Sequence, residues 1–166
     1  MLNLNPITAP KYQTLLARDI PSVNLTGGVS VRVIAGEFRG VKGPASTFTP
    51  VDLLELRIPA GRDADLALRA GFSAGLYVVK GAISVNRETA REGELIVLDR
   101  NGSDVAIEAS ADALVFVMSG QPIDEPVAGS GPFVMNTRQE LEAAYRDFHS
   151  GRMGRIPSTA REKENA

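Results

Sequence analysis

Val29-Ser-Val-Arg-Val-Ile-Ala-Gly36 sets a valine at every second position through Val33, and Val51-Asp-Leu-Leu-Glu-Leu-Arg-Ile58 sets Leu54, Leu56 and Ile58 on one face against Leu53, Glu55 and Arg57 on the other. Side chains of a strand alternate between the two faces of a sheet, so this period of two predicts half-buried β-strands. The turn signal Asn24-Leu-Thr-Gly-Gly28 precedes the first run, and Pro59-Ala-Gly61 ends the second. Further out, apolar runs at 66–68, 76–79, 82–85, 95–98, 105–109 and 114–118 are mostly separated by Gly, Asn, Asp or Ser. Short strands at that spacing predict an all-β barrel or sandwich.

The one strong helical pattern lies in Thr137-Arg-Gln-Glu-Leu-Glu-Ala-Ala-Tyr-Arg-Asp-Phe-His149, where Leu141, Tyr145 and Phe148 recur at i, i+4 and i+7. Thr137 with Glu140 three residues on matches a capping box, and Gly151 is placed to stop the helix. Before the first strand the chain is rich in proline and lacks a period, which predicts an extended arm, with Tyr12, Leu15 and Leu16 as candidate anchors. The polar tail after Pro157 has nothing to bury and is expected to be disordered. The expected division is an arm over 1–28, a β-barrel over 29–136, a helix over 137–156 packed on the barrel or a partner, and a tail over 157–166.

Composition narrows the function classes. The chain has 166 residues, 43% of them hydrophobic, a net charge of -2, no cysteine and one histidine. That length suits one domain with extensions, which needs no disulfide or structural metal to fold. Without cysteine, zinc fingers, iron–sulfur clusters and thiol catalysis are excluded. A slightly acidic balance lacks the clustered Lys and Arg that neutralise phosphates, so nucleic acid is not an expected ligand. No run approaches the ~20 apolar residues of a membrane span, and the N-terminus lacks the pattern of a signal peptide, so a cytoplasmic location is expected. No glycine run forms a phosphate-binding loop.

Val31-Arg-Val-Ile-Ala-Gly36, Thr49-Pro50, Leu76-Tyr-Val-Val-Lys-Gly81, Gly120-Gln-Pro-Ile-Asp-Glu-Pro126 and above all Gly131-Pro-Phe-Val-Met-Asn-Thr137 resemble the C-terminal half of the pirin family. Ala9-Pro-Lys-Tyr-Gln13 and Asp19-Ile-Pro21 look like the segment that joins pirin's two halves, so the resemblance runs to about Ile156. It implies a cupin-type jelly-roll, or double-stranded β-helix, with an N-terminal arm and one C-terminal helix. Pirins are bicupins that hold a metal, usually iron, in the N-terminal barrel. The resemblance therefore implies that the half carrying the family's metal and its quercetin-dioxygenase-like chemistry is missing here.

A cupin metal site needs two histidines one residue apart, a glutamate and a third histidine. At the matching places stand Asp65-Leu-Ala-Leu68, Ala74 and a residue near Val105, so no metal and no other cofactor is expected. Asp63 and Asp65 share a strand face and could offer oxygens to Ca²⁺ or Mg²⁺, but acidic residues just after a turn ordinarily sit in solvent. His149, near a helix C-terminus, reads as a capping residue. No Ser-His-Asp triad can be built without a histidine in the barrel. Asp52, Glu55 and Asp104 are candidates for a buried carboxylate base, with no spacing that singles out a pair. Glu125 and Pro126, with Gly131, Pro132, Phe133, Asn136 and Thr137, form the family-like signature. The expected role of Glu125 is to accept backbone N–H bonds in the turn before the helix.

The leading expectation is a non-catalytic, metal-free binding or assembly module, forming a homodimer through the arm and either the helix or a barrel sheet, because symmetric C₂ dimers are the commonest soluble oligomers. Two rivals remain. One is a dioxygenase or isomerase with an atypical site; the other is a protein–protein adaptor of the coregulator kind associated with pirins. A small-molecule site would be a cavity of roughly 300 Å³ or more. Strand alternation nominates Leu54, Leu56, Tyr77, Val79 and Phe116 to line it, with Tyr77 supplying the polar tip.

Overall fold

The computed structural model describes residues 12–154, and the expectations for the start of the arm and for the C-terminal tail lie outside them. In chain order the strands are β1 (Ser22–Asn24), β2 (Ser30–Ala35), β3 (Glu37–Phe38), β4 (Val41–Lys42), β5 (Val51–Ile58), β6 (Arg62–Ala67) and β7 (Ser73–Lys80). There follow β8 (Ala82–Val85), β9 (Glu88–Arg91), β10 (Leu95–Leu98), β11 (Asp104–Ala109), β12 (Ala113–Gly120), β13 (Ala128–Ser130), β14 (Phe133–Met135) and the helix α1 (Arg138–His149). The chain divides into two compact units, with the boundary between Ile123 and Asp124.

In the first unit β1-β2-β5-β12-β7-β10 form a six-stranded antiparallel sheet, and β6-β11-β8-β9 a four-stranded one. Their inner faces share one core. Val31, Val33, Leu54, Leu56, Leu76, Val78, Val115 and Val117 from the larger sheet meet Leu66, Ile83, Val85 and Ile107 from the smaller, all fully or almost fully buried. The period of two seen in the sequence is thus the period of burial, and each such side chain contributes ~1.5–3 kcal/mol by leaving water. The two sheets form the expected jelly roll, although they are not hydrogen-bonded to each other into a closed barrel.

The arm is also shorter than expected: Ser22–Asn24 pairs with Ser30–Arg32 as an edge strand of the large sheet. Tyr12 does not anchor it by burial, being 89% exposed, whereas the Gln13 amide holds the backbone of Ser46 in both directions. Glu88-Thr-Ala-Arg91 carries no hydrophobic alternation, yet it pairs with β8 across Asn86-Arg87. Both turn residues have positive φ, 51° and 73°, the geometry of a type I′ hairpin, which asparagine tolerates and arginine ordinarily does not.

The second unit pairs the β13–β14 hairpin with α1. The hairpin, which the sequence division places with the barrel, belongs instead to the helical unit. At the helix start both halves of the capping box are made: the Thr137 hydroxyl accepts from Glu140 N at 3.2 Å, and the Glu140 carboxylate accepts from Thr137 N at 2.8 Å. At the end, Gly151 at φ 75° closes a Schellman motif, with Arg152 N donating to Asp147 O at 2.9 Å and Gly151 N to Phe148 O at 3.1 Å. Thr137→Ala is expected to cost about 1 kcal/mol, read as a lower denaturant midpoint of the helical circular-dichroism signal. The buried face of α1 is Leu141 and Ala144; Phe148, expected on it, is 58% exposed.

Candidate functional site

A cupin holds its chemistry between its two sheets, and here that space is closed. Leu66, at the place of the first histidine pair, is 2% exposed and Val105 is 6% exposed; both belong to the apolar core. Among the described residues no three His, Cys, Asp or Glu side chains converge in a way that could hold a metal. This donor set does not fit an iron of the kind that the pirin resemblance implies.

At one end of the inner face of the large sheet the polar residues Asp52 and Ser119 sit opposite each other on β5 and β12. Asp52, 6% exposed, has every acceptor direction occupied. Arg69 grips it as a fork, Nη2 to Oδ1 at 3.1 Å and Nε to Oδ2 at 3.0 Å, while Glu37 N and the Ser119 hydroxyl donate to it at 3.2 and 3.3 Å. The Arg69 guanidinium also lies 5.5 Å from the centroid of Phe72. A carboxylate so held is a clamp between the loop after β6 and the turn after β2, not a free base or ligand. Beside it, Leu68, Phe72, Ala74 and Leu98 help line a cavity of about 100 Å³. That is well short of the ~300–1,000 Å³ of a typical small-molecule site.

Larger hollows are surface grooves. One of about 670 Å³ is bordered by Phe38, Arg39, Asp65, Asn86 and Asp104, and one of about 410 Å³ by Asp63, Ser84, Thr89 and Glu108. The side chains of Asp63 and Asp65 point outward from the small sheet, opposite Glu108 and Ala106, with no cage of oxygens around them. Asp104 is exposed as well.

The other buried carboxylate, Glu55, lies on the outer face of the large sheet. Arg32 Nη1 reaches its Oε2 at 3.0 Å, and Arg57 meets Oε1 through Nη2 at 2.9 Å and Nε at 3.0 Å. Arg32 donates in addition to the Ala17 carbonyl. Two guanidinium groups on one carboxylate make an ion-pair network and leave a net positive charge there.

The five nominated pocket residues do not line one cavity. Leu54 and Leu56 face the core, whereas Tyr77, Val79 and Phe116 face outward, because the inward positions of β7 and β12 are taken by Leu76, Val78, Val115 and Val117. Alternation identifies two faces of a strand without saying which is inside. When both faces are apolar, as on β7 and β12, the signal fails. Phe116 is cross-strand neighbour to Glu55 on one side and Tyr77 on the other, and Tyr77 to Leu95, so these residues form one row across the outer face. Strand alternation does not nominate Leu95, which ends that row at 54% exposure, nor Val97 and Met118 in the next row, at 76% and 39% exposure.

The signature residues build the second unit. Pro132 and Gly131 form the turn of the hairpin, and a Cβ on Gly131 would stand 2.6 Å from the Tyr145 hydroxyl, which donates to Ser130 O at 3.0 Å. Phe133 meets Tyr145 edge-on at 4.9 Å between centroids. Glu125 accepts not from backbone N–H groups but from the Asn136 side-chain amide, at 2.6 Å, while Asn136 N donates to Glu140 at 3.1 Å. Pro126 is exposed beside Glu125. His149 Nδ1 donates to the Tyr145 carbonyl at 2.8 Å, the local role expected near a helix end.

Comparison with known proteins agrees with this architecture. The family profile described as Pirin C-terminal cupin domain matches residues 53–154. A Pseudomonas aeruginosa protein named "Putative quercetin 2,3-dioxygenase PA2418" is 40% identical over 150 residues, covering 90% of this chain and 51% of that protein. A tomato (Solanum lycopersicum) pirin-like protein is 36% identical over 149 residues, covering 87% of this chain and 51% of its own. The crystal structure of an Acinetobacter baumannii quercetin 2,3-dioxygenase superposes with a TM-score of 0.86 at 37% identity, covering 90% of this chain and 53% of that one. The chain spans about half the length of the curated relatives it matches.

Proposed function

Because this chain belongs to the pirin family through its C-terminal cupin domain, we propose that it works as a binding and assembly module that acts through its surface and carries out no metal chemistry in its interior. One observation carries the reading: the space between the sheets is filled by Leu66, Val105 and their neighbours where a cupin needs imidazoles, and the chain's single histidine is bonded to its own helix. Asp52, the carboxylate at the edge of that space, is held by Arg69.

The competing reading is an enzyme of the kind named in the Pseudomonas and Acinetobacter relatives, acting on quercetin or a similar small molecule. Its strongest support in this chain is the 670 Å³ groove by Phe38 and Asp65. The two readings separate on the metal content of untagged full chain, purified without chelator from cells supplied with iron, nickel and zinc and measured by elemental mass spectrometry. A tag is left out because it would add histidines. Only trace metal and no oxygen-dependent loss of quercetin are expected. Near-stoichiometric transition metal, or turnover of quercetin, overturns the proposal.

A further inference from the structure

The two sheets treat water differently on their outer faces. The small sheet is ordinary: its outward positions include Asp63, Asp65, Ser84, Thr89, Asp104 and Glu108, with no apolar side chain larger than the alanines Ala67, Ala82 and Ala106, as expected of an antiparallel sheet with one solvated side. The large sheet is not. Its outward positions on β5, β12, β7 and β10 include Leu53, Phe116, Met118, Tyr77, Leu95 and Val97, contiguous across four strands by the registers of β5–β12, β12–β7 and β7–β10. Single exposed apolar residues are common on any protein; a continuous block of them on one sheet face marks an interaction surface.

We infer that this outer face of the six-stranded sheet binds the same face of a second copy, giving a C₂ dimer of two jelly rolls. The inference rests on the assembly reading above and names the partner.

Three features favour a second copy. The first is area. The 37 residues of the six strands, each covering ~3.4 Å along the strand by ~4.8 Å across, give roughly 600 Å² per copy, or roughly 1,200 Å² for two if the whole face is buried, above the ~1,000 Å² that a specific interface needs. The second is charge. Glu55, the one buried acid on this face, has Arg32 and Arg57 as partners, so the face presents no unpaired acidic group, and its surplus charge is positive and has to be kept apart from that of the other copy. The third is symmetry. An apolar centre meets its own copy without needing a complementary pattern, and sheets pack face to face within about 30° of parallel. Arg57 and Lys80, next to Leu114 in the registers, form a cationic end of the face. A twofold axis across the strands sets that end of one copy against the uncharged end of the other, which carries Val51, Gly120 and Ser73, and so avoids like-charge contact.

Sedimentation equilibrium of the untagged full chain at about 10 µM tests this, alongside Leu95→Glu and Val97→Glu on the face and Ser84→Arg on the small sheet as a control. Wild type and Ser84→Arg are expected to be dimers. Both glutamate variants are expected to keep the wild-type circular-dichroism spectrum and to weaken association by about 100-fold or more. Because these positions are more than half exposed, the variants need not disturb the core. A monomeric wild type overturns the inference without any variant, and so does a dimer that survives both glutamates or is lost only in Ser84→Arg. Metal content reads the assembly proposal separately: a metal-free monomer removes the dimer and leaves that proposal standing, whereas a metal-loaded dimer does the reverse.

Discussion

Leu56→Ala is expected to lower the free energy of unfolding by about 3–5 kcal/mol, measured by urea denaturation. Leu56 is fully buried in the middle of β5, between Val31 on β2 and Val115 on β12, and none of those side chains can extend to fill the space a leucine leaves. The cost has two parts, lost transfer from water and a cavity the rigid sheets cannot collapse around. Phe116→Ala, one strand over but on the outer face, is expected to cost less, about 1–2 kcal/mol in the monomer, because the ring keeps part of its contact with water in the folded state. The contrast bears on function. A solid core gives the large value at Leu56, whereas a ligand chamber tolerates truncation of its lining. A loss under about 1 kcal/mol at Leu56 would therefore move the small-molecule reading ahead of the assembly reading.

Gly81→Ala is the other large effect, expected at about 3–4 kcal/mol against about 1–2 kcal/mol for Gly93→Ala. Both glycines have φ near 85°, a region where a Cβ is disfavoured, so both substitutions incur the same conformational cost. They differ in what the new atom meets. At Gly93 there is nothing within 4 Å, while at Gly81 the Cβ would lie 2.5 Å from the Asp112 carbonyl and 3.1 Å from the Ala113 Cα. Those are backbone atoms at the start of β12, the strand paired with both β5 and β7, and they cannot yield without shifting the large sheet. Gly81 also accepts a hydrogen bond from Glu92 N, so the link from β7 to β8 is held on both sides. Equal losses for the two variants would show that the chain can relax around the Asp112 carbonyl.

Much of the strand order was legible because burial and sequence share a period. Ala82–Val85 and Leu95–Leu98 were read with the bounds the structure gives them, and the helix cap at Thr137 and Glu140 was read to the residue. Local rules suffice there, since a capping box or an alternation is completed within a few residues. Glu88–Arg91 escaped because its strand character comes from pairing with β8, and Ser22–Asn24 because an edge strand borrows its hydrogen bonds from β2. The candidate site was less legible still. Asp52 and Glu55 were recognisable as carboxylates on a strand, but their neutralising partners Arg69, 17 residues on, and Arg32, 23 residues before, are set by the loop after β6 and by strand registry.

By itself, the sequence determined three things: an all-β barrel or sandwich with one capped helix, a family likeness carried by Gly131–Thr137 that implies the jelly roll, and the lack of imidazoles at the places where that likeness puts a metal site. Each follows from residue identity and spacing, which the chain carries before it folds. Only the tertiary structure decided which apolar face of β7 and β12 is core and which is left outside. The six-stranded sheet has two apolar sides on those strands, and the choice depends on where the second sheet packs. Leu76, Val78, Val115 and Val117 meet the small sheet; Tyr77, Phe116 and Met118 do not. The outer row is thereby left as apolar surface.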